Sequence, residues 1–371
     1  MKRAALSILL IGAMLVSTTS AVQADENKLD IEKVAIKSVE NSQFMNSTKR
    51  QVESVKKNYA NLGTAINQAK QGLVFFNSYE MVKVVVLTPQ AMENMMLQVT
   101  NGQAVVSNFV RFSAYREYIN LLKADYALNT QSDLMSSLYE DYKKARLQQE
   151  QGLITQYELR LAEIAYEQVR YNYLSAQNNR ESSIMGINNM MGEDISKKYA
   201  VLQDNNITPS SQIKTLDEYT NLALANRAEI INKRSTLELK KQQYLYEKVE
   251  NPTDFEFYVQ QQEYEIENLE NELALVRIDV QQDISELYTG LESAMKKLEA
   301  MKYLAKQAEE NYAAAQTSYE SSLISLNDLN NAKIAKAQAD INLKNAELDA
   351  WLMQMTMSLA CNAGYMPTIL Q

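Results

Sequence analysis

Apolar residues in the last third of the chain fall on a regular stripe. Ile266, Leu269, Leu273, Val276 and Val280 are separated alternately by three and four residues. A second step of four leads to Ile284, after which Leu287, Leu291, Ala294, Leu298 and Met301 resume the alternation. Such spacing gathers the side chains on one helical seam, and the single stutter relaxes the supercoil locally. The pattern predicts a coiled bundle of long helices. Proline supports this: Pro89, Pro209, Pro252 and Pro367 are the only four, so two stretches of more than a hundred residues contain no proline. Both are rich in Ala, Leu, Glu, Gln, Lys and Met, all good helix formers. Residues 254–321 alone would span roughly 100 Å as one helix.

Helix starts are legible as caps. Thr88 precedes Pro89, an N-cap followed by proline at the first helical position. Thr253-Asp254-Phe255-Glu256 and Thr215-Leu216-Asp217-Glu218 have the capping-box form. So do Thr155-Gln156-Tyr157-Glu158 and Ser325-Leu326-Asn327-Asp328. The last two lie in a sequence that occurs twice. Gly152-Leu153-Ile154-Thr155 returns as Ser322-Leu323-Ile324-Ser325, an offset of 170 residues. At that offset Tyr142 falls on Tyr312, Ala162 on Ala332, Asn172 on Asn342 and Ala176 on Ala346. Each copy therefore reads as a long helix, a tight turn at 152–155 or 322–325, and a second long helix.

The opening helices align better at an offset of 185: Ile31 with Leu216, Val39 with Leu224, Asn41 with Asn226. The first copy thus holds about 15 additional residues between its first and second helices. They lie near 73–87, the most β-prone stretch, where Val84 to Leu87 are consecutively apolar. A small β-hairpin there is the most strand that the sequence allows. The second copy has only Asn251-Pro252-Thr253 at this joint. Segment 193–214, with Asp204-Asn205-Asn206 and Pro209-Ser210-Ser211, reads as a linker. The expected organisation is a signal peptide at 1–24, a first helical repeat at 25–192, the linker at 193–214, a second repeat at 215–364 and a tail at 365–371.

Composition narrows the chemistry. Lys2 and Arg3, an apolar run from Ala4 to Val16 and a small-residue site at Val22-Gln23-Ala24 have the form of a secretory signal, so the chain is expected to be exported. Loss of the leader takes the net charge from −9 to about −11, which disfavours nucleic acid and anionic lipid as partners. Cys361 is the single cysteine and is expected to pack as a small apolar residue; histidine is absent. With no His, no nucleophile elbow, no phosphate loop and no metal-ligand spacing, the sequence offers no catalytic residue, cofactor site or metal site. Glu263, Glu267 and Glu270 share one helix face, better read as solvated than as a hard-cation site. Mid-helix tyrosines such as Tyr166, Tyr171, Tyr173, Tyr244 and Tyr246 read as amphipathic packing.

Two tandem copies of long helices meeting at this turn resemble the TolC-like outer-membrane efflux protein family. The resemblance rests on Gly152, Thr155, Glu158, Leu159, Ala162 and Ala165. Their partners are Ser322, Ser325, Asp328, Leu329, Ala332 and Ala335, and the helix opening Ala223-Leu224-Ala225-Asn226-Arg227 adds to it. It implies an all-α protomer of two antiparallel hairpins that trimerises into a hollow duct for efflux or secretion. The turns Gly152, Leu153, Ile154, Thr155 and Ser322, Leu323, Ile324, Ser325 would face a periplasmic adaptor of an inner-membrane pump. Glu158 and Asp328 would lie nearest the entrance constriction. The resemblance also implies barrel strands at the joint between first and second helices, for which the second copy lacks room, since a spanning strand needs about 9–11 residues. An exported, barrel-less coiled-coil scaffold without transport activity is the alternative. A pump adaptor fits less well, because no Gly- and Val-rich β domain flanks the hairpins.

Local chemistry also explains the turn residues. Glu158 and Asp328 suit the third helical position of a capping box, Thr155 and Ser325 suit N-caps, and Gly152 suits a helix C-terminus. Ser322 at the matching place argues that a positive φ is not demanded there.

Overall fold

The computed structural model describes residues 28–72, 81–248 and 255–365. The expected signal peptide, the first part of the 73–87 segment, the joint at 251–253 and the tail from 366 onward lie outside them. Helix α1 (Ile31–Asn41) runs into α2 (Gln43–Gly72). A π-helical turn, Lys83–Leu87, leads directly into α3 (Thr88–Glu150). Helix α4 (Gln156–Met191) returns alongside α3. The second copy repeats the order with α5 (Leu216–Asn226), α6 (Ala228–Glu247), α7 (Phe255–Glu320) and α8 (Leu326–Ala360). With 66 residues, α7 extends roughly 100 Å.

The fold is all-α, as the stripe predicts. Thr88, expected as an N-cap, instead lies within continuous helix (φ −65°, ψ −44°), its hydroxyl donating to the Lys83 carbonyl (2.9 Å), because the π-helical turn runs straight into α3. The apolar run Val84–Leu87 is helical rather than extended. Four consecutive apolar residues fit a buried helix as well as a strand, and continuity with α3 decides between them. Extra length in the first copy is also partly helical: α2 has 30 residues where α6 has 20. The only sheet among the described residues is a two-residue parallel pair, β1 (Lys28–Leu29) with β2 (Val201–Leu202). It ties the segment before α1 to the linker. The Tyr118 hydroxyl lies between the Leu29 carbonyl (2.8 Å) and the Gln203 carbonyl (2.9 Å), which anchors both to α3.

The helices stand side by side in the order α4, α3, α8, α7. The largest apolar cluster joins α1, α3, α4, α8 and the linker through Val34, Tyr118, Ile119, Ile187, Leu348 and Trp351. A second joins α5, α6, α7 and α8 through Ala223, Ile230, Ile284, Leu291 and Met357. The seam read from sequence forms this contact through buried Val280, Ile284 and Leu291, and Leu298 continues it against Ala346 and Ala350 of α8. Cys361 packs in the second cluster, and burial pushes its thiol up to about 11. Glu263 accepts from the Tyr244 hydroxyl (3.1 Å) and Glu270 pairs with Lys241 (2.7 Å), so this carboxylate face is partly engaged by α6. No group of three or more metal-ligating side chains occurs among the described residues. Among them, no helix is long and apolar enough to cross a membrane.

Candidate functional site: the paired hairpin turns

Both turns are built by their own backbones. At the end of α3, the Gly152 amide donates to the Gln149 carbonyl (2.9 Å) and the Leu153 amide to that of Gln148 (2.8 Å). At the end of α7, Ser322 donates to Tyr319 (2.9 Å) and Leu323 to Ser318 (2.8 Å). This pairing is the Schellman closure, which needs a left-handed residue at its centre. Gly152 supplies it with φ +73°. Ser322 adopts it too, with φ +59°, and is the sole non-glycine residue of positive φ among those described. The expectation that serine relieves this demand is therefore corrected: the turn requires the conformation, and serine bears its steric cost.

The following helices start on reciprocal caps. Thr155 Oγ1 accepts from the Glu158 amide (3.2 Å), while the Thr155 amide donates to Glu158 Oε2 (2.7 Å). Ser325 and Asp328 do the same at 3.2 Å and 3.1 Å. The Thr155 amide, followed by its hydroxyl, holds the Glu158 carboxyl below the usual range. Each carboxylate is thus engaged within its own turn. Projecting from these frames, Leu153 is 69% exposed and Leu323 is 77% exposed, while Ile154 and Ile324 are half-buried. Two similar tips therefore each present an apolar side chain to solvent beside a capped carboxylate.

Sequence reasoning missed the link between the hairpins near these tips. Lys333 on α8 donates to Asp141 on α3 and to Ser137 Oγ (3.2 Å), and both charged side chains are largely buried. The repeat hides this pair, because Lys333 matches Glu163 in the first copy. Tyr166 packs against Tyr139 (5.2 Å) and stacks on Tyr142 (6.1 Å), which joins α4 to α3 as the amphipathic reading expects.

The arrangement has close counterparts among solved structures. The outer membrane protein VceC of Vibrio cholerae superposes with a TM-score of 0.65 at 11% identity, over 91% of this chain and 97% of that one. That is the TolC-like channel fold. The Campylobacter jejuni CmeC outer membrane channel matches at 0.61 and 14% identity, over 91% and 86% of the two chains. The open state of the Neisseria gonorrhoeae MtrE outer membrane channel matches at 0.64 and 10%, over 90% and 89%. No protein-family profile matches the sequence, and no curated protein does. At these identities the TolC-like likeness is one of fold.

Proposed function

We propose that the chain is a component of a TolC-like efflux or secretion conduit, exported and located at the outer membrane or in the periplasm. The observation that carries this is the near-complete coverage of outer-membrane channels by the paired hairpins. Three copies complete a helical duct in this reading. Its physical support lies on the edge helices. Ile164 and Tyr171 on α4 and Leu275 and Ile278 on α7 are all well exposed, so each edge offers apolar surface for a neighbour to cover. The turns Gly152–Thr155 and Ser322–Ser325 dock the adaptor, with Leu153 and Leu323 as apolar contacts. Glu158 and Asp328 line the narrow end. The duct itself performs no catalysis.

Light scattering after size exclusion, with and without detergent, tests the assembly. A trimer is the expected result; a monomer in both conditions overturns the duct and favours the scaffold. Leu153→Asp with Leu323→Asp tests docking: crosslinking to a co-expressed adaptor should be lost while the trimer persists.

A further inference from the structure

A groove of about 600 Å³ runs along α3 between α4 and α8. Its floor is made of small residues, Ala124, Ala127 and Ala176, which leave depth between the helices. Its walls carry six side-chain amides: Asn120 and Gln131 from α3, Asn172 and Asn179 from α4, Gln338 and Asn345 from α8. Between Asn120 and Gln131 the groove is roughly 16 Å long at the helical rise per residue. Gln131 is only 8% exposed, and its Oε1 has no hydrogen-bond partner in the chain. Asn345 Oδ1 on another wall is buried and unpartnered as well. Leaving such an acceptor dry costs about 1–3 kcal/mol.

Helix packing does not demand a polar side chain at three of the lining positions, as the second copy demonstrates. At the offset of 170, Gln131 becomes Met301, and the groove-lining Ser182 and Ser183 become Leu352 and Met353. All three replacements pack against apolar clusters. The same helical register therefore accepts apolar side chains at these positions, and the first copy alone is polar there.

We propose that this groove binds an uncharged, hydroxyl-rich ligand of the class of a short neutral oligosaccharide. No carboxylate lines it, and its single cation, Lys123, is paired with Asp349, so nothing selects for a charged ligand. Each amide offers both donors and an acceptor, and a hydroxyl likewise does both, so the two chemistries match group for group. Polar groups stand on three walls. A sugar presents hydroxyls around its whole periphery, whereas an extended peptide offers backbone hydrogen bonds along two edges only. The inference holds for one chain, whether or not it assembles into a duct.

Calorimetric titration of the full chain with maltotriose and with triacetylchitotriose tests it, alongside an acetylated, amidated Ser-Gly-Asn peptide. At least one sugar should bind once per chain, equally at low and high salt. Gln131→Met, which installs the second copy's residue, should weaken binding about tenfold, the scale of one or two hydrogen bonds. Asn179→Asp alters only an exposed wall and should also weaken it, with the thermal midpoint unchanged. Absence of binding by either sugar at millimolar concentration overturns the proposal. So does wild-type affinity in Gln131→Met, or binding of the peptide alone.

Discussion

At the hairpin tips the two copies make the same hydrogen bonds; at the breaks within their opening helices they do not. The tips share the Schellman closure and the capping box bond for bond. The breaks share only a backbone. Ser42 sits at φ −65°, ψ 126° and Arg227, its partner at the offset of 185, at φ −61°, ψ 130°. In the first copy Ser42 Oγ caps the next helix by accepting from the Met45 amide (3.3 Å). In the second, the Arg227 guanidinium donates to Glu229 (2.7 Å), Asp283 (2.8 Å) and the Ala360 carbonyl (3.3 Å). A bend can be held by its own side chain or by neighbours from distant helices. The tips, at the end of the bundle, are held by residues of their own turn.

The largest expected effect follows at the second break. Arg227 has a side chain only 10% exposed. Arg227→Ser places the first copy's residue there and should cost about 3 kcal/mol, because it removes two charge-assisted hydrogen bonds to Glu229 and Asp283, one to the Ala360 carbonyl, and the packing of a buried side chain. Ser42→Ala removes a single cap and should cost about 1 kcal/mol. Urea denaturation measures both, and equal losses would refute the contrast between tertiary and local support.

The tips should respond symmetrically. Gly152→Ser should destabilise and Ser322→Gly should stabilise, each by about 1 kcal/mol, since both act through one left-handed residue. A side chain at Gly152 meets no atom within 4 Å, so the backbone alone is tested. Thr155→Ala and Ser325→Ala should each cost about 1 kcal/mol and accelerate amide exchange in the first turn of α4 or α8. A large difference between these two would show that one tip is held by something beyond its own cap.

The smallest effect is electrostatic, because the lysines involved are about a third exposed and solvent screens their pairs. Glu193, at the end of α4, accepts from Lys37 on α1 and from Lys197, and these bonds bring its carboxyl down to about 2. A lowered carboxyl contributes stability above its ordinary pKa and loses it as pH falls through the folded value. The contribution is therefore complete near pH 6 and disappears between roughly pH 4.5 and 2. Glu193→Gln should flatten that part of the stability profile and leave the tips' acid response, set by Glu158, in place.

Much of this was legible in the sequence because its causes are local or periodic. Capping boxes at Thr155, Thr215 and Ser325 form within four residues, so their letters predict their bonds. The seam from Ile266 to Met301 follows from helical geometry alone. The candidate site was legible only as two turns, since adaptor contact and a constriction depend on surfaces outside one chain. Ser322 misled because letters suggest a conformational preference, whereas the closure around it imposes φ.

By itself, then, the sequence determined long paired helices, their duplication, the capping boxes at Thr155, Thr215 and Ser325, and the place of each turn. Tertiary structure decided that Val84–Leu87 is helical, that Lys333 reaches Asp141, that Arg227 is buried among carboxylates, and that six amides from three helices share one groove. For Val84–Leu87 the reason is continuity with α3; for the other three it is distance along the chain. Caps and seams are satisfied by neighbours a few residues away, while these pairings join residues dozens to more than two hundred positions apart and exist only once the helices pack.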